Sequence, residues 1–256
     1  MKRVLKLISI FMLIAYVAMG SFLYLNQRDF LYHPTPEIAT KYKEIKLFND
    51  GEKINVIVLH EGYENAILYF GGNGESMASS ADYIAGQFPT FTVYLMDYRG
   101  YGSSSGEATE KGLYSDALKL YDTIKPKHNR ITIGGRSLGT AIATYVAANR
   151  EVSKLALITP FDSIVNVAQG RYPLYPANIL LHDKYDSAGR ANQIKAEIFI
   201  VIAQEDMVIP KERTEKLIEA FNPKQLVIDT IQNRGHMDIS SDDRYYKIMQ
   251  DFIGEG

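Results

Sequence analysis

The chain has 256 residues, 46% of them hydrophobic and 23% charged, with a net charge of -2. That length suits one domain with a sizeable core plus an appendage. The near-neutral balance argues against a nucleic-acid partner, and the absence of cysteine excludes disulfides, thiolate nucleophiles and Cys-based zinc sites.

In chain order, Lys2, Arg3 and Lys6 precede an uncharged apolar run over 7–25. A helix over that run is about 28 Å long, close to the hydrocarbon thickness of a bilayer. Two readings are open: a retained signal-anchor over 1–28, or a signal peptide cleaved near Ala18-Met19-Gly20. The anchor is favoured, because the run continues through Phe22, Leu23, Tyr24 and Leu25, past the end of an ordinary signal core. Tyr16 and Tyr24 suit a membrane interface. With the basic end held inside, the rest of the chain is expected outside the cytoplasm, at the periplasmic face if the source is bacterial. A connector over 29–36, punctuated by Pro34 and Pro36, is expected on the surface.

From there strands and helices alternate. Strands are expected over 42–48, 54–60, 66–70, 91–97, 130–134, 154–159, 197–203 and 225–230, and helices over 77–87, 112–123, 138–149, 211–220 and 245–252. The fold class is α/β: a mostly parallel sheet of about eight strands flanked by crossover helices, in a domain over 29–256. Asn49-Asp50-Gly51 predicts an antiparallel hairpin between the first two strands. The segment 161–196, rich in Tyr, Pro and Leu, is either a plain crossover or a small cap over the sheet.

Gly135-Arg136-Ser137-Leu138-Gly139 matches G-x-S-x-G, between the strand ending at Gly134 and an apolar helix. A serine hydroxyl needs a base to take its proton and a sharp turn to expose it, and a strand–turn–helix supplies the turn. A second match, Gly102-Ser103-Ser104-Ser105-Gly106, follows Tyr98-Arg99-Gly100-Tyr101 and reads as loop, so Ser137 is the expected nucleophile. Of the five histidines, only His236 follows the last strand, where a Ser…Asp…His order puts the base. Asp206 is the favoured acid, ahead of its neighbour Glu205 and of Asp162, which reads better as a helix cap, as does Asp238. The oxyanion of acyl transfer needs backbone donors. One is expected from Leu138, the other from Phe70-Gly71-Gly72-Asn73-Gly74 after the third strand.

Together these residues resemble the α/β-hydrolase superfamily, and within it the membrane-anchored serine hydrolases that include protein depalmitoylases and bacterial relatives. The resemblance runs from Phe30 onward. It is carried by Asp97-Tyr98-Arg99-Gly100-Tyr101-Gly102-Ser103-Ser104-Ser105-Gly106, the elbow at Ser137, Thr159-Pro160-Phe161-Asp162-Ser163, Asp206 with Val208 and Pro210, and Gly235-His236. It implies that 97–106 is a structural turn and that Asn73 supplies the second oxyanion donor. Relatives often carry His-Gly-Asn where this chain has Gly71-Gly72-Asn73, which puts the bracing of that loop in question.

The expected function is hydrolysis of a carboxylic ester or thioester through an acyl-enzyme on Ser137, without a cofactor. The expected partners are a small-molecule or lipid-like acyl ester and the membrane. An aminopeptidase-like reading would need an acidic cluster in the insertion, where Asp183 and Asp186 stand beside Lys184 and Arg190. A non-catalytic binding module on the same fold is the third reading.

Overall fold

The computed structural model describes residues 1–254. Eight strands form one sheet: β1 (Lys43–Asn49), β2 (Glu52–Leu59), β3 (Asn65–Phe70), β4 (Thr92–Met96), β5 (Arg130–Arg136), β6 (Lys154–Ile158), β7 (Glu197–Ala203) and β8 (Leu226–Ile231). Their order is β1-β2-β4-β3-β5-β6-β7-β8. The β1–β2 and β2–β4 pairs are antiparallel, and every pair from β4–β3 to β7–β8 is parallel. The expected hairpin turns at Asp50 and Gly51, both with positive φ, the conformation a tight Asp-Gly turn requires.

Strand residues alternate between two apolar layers, as the two-residue repeat of a strand demands. Val56, Tyr94, Ile133, Leu155 and Ile200 face one layer, while Ile57, Leu95, Ala156 and Phe199 face the other. The first layer is completed by α4 (Glu110–Ile124), α5 (Leu138–Asn149) and α8 (Lys211–Ala220), the second by α3 (Met77–Gln87) and α9 (Asp243–Gly254).

The N-terminus forms α1 (Lys2–Leu25), with no buried residue, and α2 (Gln27–Leu31) after a break at Asn26. The connector lies on the surface as expected, with one buried residue that ties it down. Tyr32 is buried and its hydroxyl meets that of Tyr185 at 2.8 Å, while Thr35 O accepts from Gly102 N at 2.9 Å. Helix α1 is therefore joined to the domain through a segment pinned at Tyr32 and Thr35. Between β6 and β7 the chain makes α6 (Ile164–Arg171), α7 (Ala177–Leu180) and a 3-10 turn at Ala188–Gln193. These elements are too short for periodicity to reveal, since four to eight residues show little of a helical repeat.

Candidate active site

β5 runs into α5 through Ser137, whose φ of 50° and ψ of -119° leave the regions an L-residue ordinarily occupies. Three contacts hold this strained turn: Ser137 N donates to Ile158 O at 2.9 Å, and Thr140 N and Oγ1 donate to Ser137 O at 2.9 and 2.6 Å. The motif glycines are required by close approach. A Cβ at Gly135 would overlap Gly139 O, and one at Gly139 would overlap the carbonyl oxygens of Phe70 and Gly71. The elbow is thus pressed against the end of β3, where the glycine-rich loop begins.

Asp206 and His236 arrive on the loops that follow β7 and β8. Asp206 follows β7, and its Oδ1 accepts from Val208 N and Ile209 N, both at 2.8 Å. Its Oδ2 lies 2.7 Å from His236 Nδ1, and His236 Nε2 lies 2.9 Å from Ser137 Oγ. A carboxylate can only accept, so Nδ1 carries the proton and Nε2 presents its lone pair to the serine hydroxyl. His236 and the Asp206 side chain are both largely shielded from water, which strengthens the pairing.

The alternatives occupy other places. Asp162 is buried and accepts from Ser163 N, Asn166 Nδ2 and Arg213 Nη1, while the side-chain cap of α6 is Ser163. Asp238 precedes a 3-10 turn without capping it by side chain, and instead accepts from Gly235 N at 2.8 Å. Both acids differ from the cap role expected of them: Ser163 takes the α6 cap while Asn166 and Arg213 hold Asp162, and Asp238 turns back to Gly235 N. Ser104 is tied into the 97–106 turn, donating to Asp97 O and accepting from Asn55 N. In the insertion, Asp183 pairs with Arg28 and accepts from Glu110 N, and Asp186 accepts from Gly189 N. Asp183 is thus committed to the fold, whereas Asp186 stands exposed with one oxygen bonded within its own turn.

The loop after β3 is braced without the histidine that relatives often carry. Asn73 Oδ1 accepts from His33 N at 2.9 Å and from the Tyr101 hydroxyl at 3.1 Å, so the connector itself clamps the loop. Tyr98 donates to Gly71 O at 2.6 Å, and burial pushes its hydroxyl well above its ordinary range, so it stays a donor. Glu75 accepts from Gly72 N at 2.8 Å and from the hydroxyls of Tyr69 and Ser80. Among the described residues, the N–H groups of Asn73 and Leu138 have no hydrogen-bond partner.

Arg136 is a further contributor that its place in the elbow motif does not announce. It lies 3.9 Å from Glu75, and its Nη2 donates to His236 O at 3.0 Å and Met237 O at 3.3 Å. Burial lowers its pKa, but the Glu75 carboxylate and neighbouring tyrosines outweigh this and raise it, so the charge persists. A single guanidinium thereby bridges the glycine loop and the histidine loop. The signal available was a cation inside an otherwise uncharged elbow and an acid, Glu75, just after the glycines.

Residues 55–184 match the model of a family described by the alpha/beta hydrolase fold. An uncharacterised protein of Mycobacterium tuberculosis is 32% identical over 179 residues, covering 68% of this chain and 63% of its own length. The alpha/beta hydrolase domain-containing protein 17B of Xenopus laevis is 26% identical over 199 residues, covering 74% of this chain and 66% of its own. The chain thus spans just under two thirds of either relative. Among solved structures, an esterase of Pyrococcus furiosus superposes with a TM-score of 0.69 at 15% identity, covering 87% of this chain and 97% of that one. The enol-lactonase of Burkholderia xenovorans does so with a TM-score of 0.65 at 18% identity, covering 82% and 100%. The chain belongs to the α/β-hydrolase-fold family.

Proposed function

We propose that the protein hydrolyses carboxylic esters or thioesters of membrane-associated acyl groups by a Ser137–His236–Asp206 mechanism. The observation that carries this reading is the pair of contacts from His236, 2.9 Å to Ser137 Oγ and 2.7 Å to Asp206. Ser137 Oγ attacks the carbonyl carbon while His236 Nε2 takes its proton. The resulting oxyanion is held by the N–H groups of Asn73 and Leu138, and the second of these opens α5, where the helix dipole favours negative charge. Collapse expels the alcohol or thiol, which receives its proton from His236, and water then releases the acid by the same steps. The resemblance to depalmitoylases favours a thioester or a long acyl chain. In this reading α1 anchors the protein, with the domain outside the cytoplasm.

The test is covalent labelling by a fluorophosphonate together with turnover of nitrophenyl esters graded in chain length. The wild type and Ser104→Ala are expected to label, and Ser137→Ala is not. Labelling that survives Ser137→Ala overturns the assignment.

A further inference from the structure

The segment 172–181 contains no charged side chain and is bracketed by Arg171 on one side and by Asp183 and Lys184 on the other. Two of its apolar side chains, Leu174 and Ile179, are each 75% exposed. Single exposed apolar side chains are common, but these two stand on a segment set against the exposed apolar helix α1 and extend it into one contiguous patch, the kind that marks a membrane contact. The segment is fastened along α1 at matched levels. At the end of the helix, Gln27 Oε1 accepts from His182 N at 2.7 Å, Tyr24 meets the His182 ring edge-on, and Arg28 pairs with Asp183. Further along, the Tyr16 hydroxyl donates to Leu174 O at 2.8 Å, and the Tyr175 hydroxyl donates to Tyr16 O at 3.1 Å. The two rings stack with centroids 4.7 Å apart. Gly20 makes room for them, since a Cβ there would lie 2.9 Å from the Tyr175 ring.

These levels give a depth. Tyr16 lies about 13 Å along the axis from Leu25, at about 1.5 Å per residue. If α1 crosses a bilayer with Leu25 at the far surface, the charges around Asp183 lie at the headgroups. Leu174 then lies well inside the hydrocarbon. Four of the polar groups at that level, two tyrosine hydroxyls and the Leu174 and Tyr16 carbonyls, are bonded to one another, as a lipid environment favours.

We propose that residues 172–181 form a re-entrant segment embedded in the leaflet at the C-terminal end of α1. This rests on the reading of α1 as a membrane anchor. The segment belongs to the crossover that leaves β6, whose last residue holds Ser137 N. Embedding it brings the carboxyl end of the sheet down onto the lipid. Met207 and Met237, 91% and 78% exposed beside Asp206 and His236, lie on loops at that same end. An acyl chain lying in the leaflet then reaches Ser137 without leaving the membrane.

The chain has no tryptophan, so one introduced indole reports alone. Full-length Leu174→Trp and Ile179→Trp are reconstituted in phosphatidylcholine–phosphatidylglycerol vesicles whose acyl chains are brominated midway. Phe11→Trp, on an exposed position of α1, reads the anchor, and Phe48→Trp, exposed on β1, reads water. Both insertion indoles are expected to be quenched as strongly as Phe11→Trp, with blue-shifted emission, while Phe48→Trp is unaffected. Quenching of Phe11→Trp alone overturns the re-entrant segment and leaves the anchor standing. No quenching at Phe11→Trp overturns the anchor and the segment with it.

Discussion

At His236 the chemistry depends on one tautomer, and the carboxylate at 2.7 Å from Nδ1 selects it. Asp206→Asn keeps the shape but can offer an N–H where an acceptor is needed. Its kcat is expected to fall by about four orders of magnitude, with circular dichroism unchanged. Asp162→Asn alters a buried pair with Arg213 far more than any reacting atom, so it is expected to lower the melting temperature and leave kcat of the folded enzyme near wild type. The opposite ranking in steady-state kinetics would move the acid to the loop after β6. Arg136 belongs to the same scale. Its contacts are to backbone carbonyls of the histidine loop and to Glu75, so Arg136→Met removes positioning while leaving the triad atoms in place. We expect kcat to fall by about 10- to 100-fold, because small misplacements of a catalytic group cost that much, with KM little changed. A change confined to KM would assign Arg136 to substrate binding instead.

Among the elements, the approach to β5 carries a titratable device that the chemistry does not use. His128 accepts the Tyr94 hydroxyl at Nε2 and donates from Nδ1 to Tyr63 O, each at 2.9 Å, which fixes the neutral form. Burial, with help from Lys127, lowers its pKa below the ordinary histidine value. The sign follows: between its folded pKa and about 6.5 the unfolded chain binds a proton that the folded chain refuses. Stability is therefore lost as pH falls below about 6.5. Urea midpoints measured across that window are expected to drop for the wild type and to flatten for His128→Gln. Equal slopes for both proteins would show that the acid loss lies with other groups.

For the whole molecule, the question is which compartment the domain meets. Lys2, Arg3 and Lys6 at the start of α1 favour a cytoplasmic N-terminus. A phosphatase reporter at the C-terminus is expected to be active in the membrane fraction, with the full-length mass retained. A soluble product beginning near Ser21 would instead mean cleavage, and a reporter active only in the cytoplasm would mean the inverse orientation. Arg28–Asp183, Tyr32–Tyr185 and His33–Asn73 join the domain to the helix base, so the helix holds one orientation against the domain.

The sequence by itself determined whatever depends on neighbours along the chain. The two-residue alternation of Val56, Ile57 and Val58 marks a strand with both faces covered, and Asp50-Gly51 marks a hairpin. Ser137 stood out from Ser104 because only it lies between a strand and an apolar helix. His236 and Asp206 were legible because a parallel sheet sends each strand's trailing loop to the same end, which gives chain order a spatial meaning. Tertiary structure alone decided the rest. The clamp on Asn73 joins His33 and Tyr101, and the Glu75–Arg136 bridge reaches the carbonyls of His236 and Met237. Likewise Tyr16 finds Leu174 across more than half the chain. No local pattern encodes such pairings, because an N–H or a hydroxyl is indifferent to where along the chain its acceptor lies. The fold chooses the acceptor when it brings distant segments within about 3 Å.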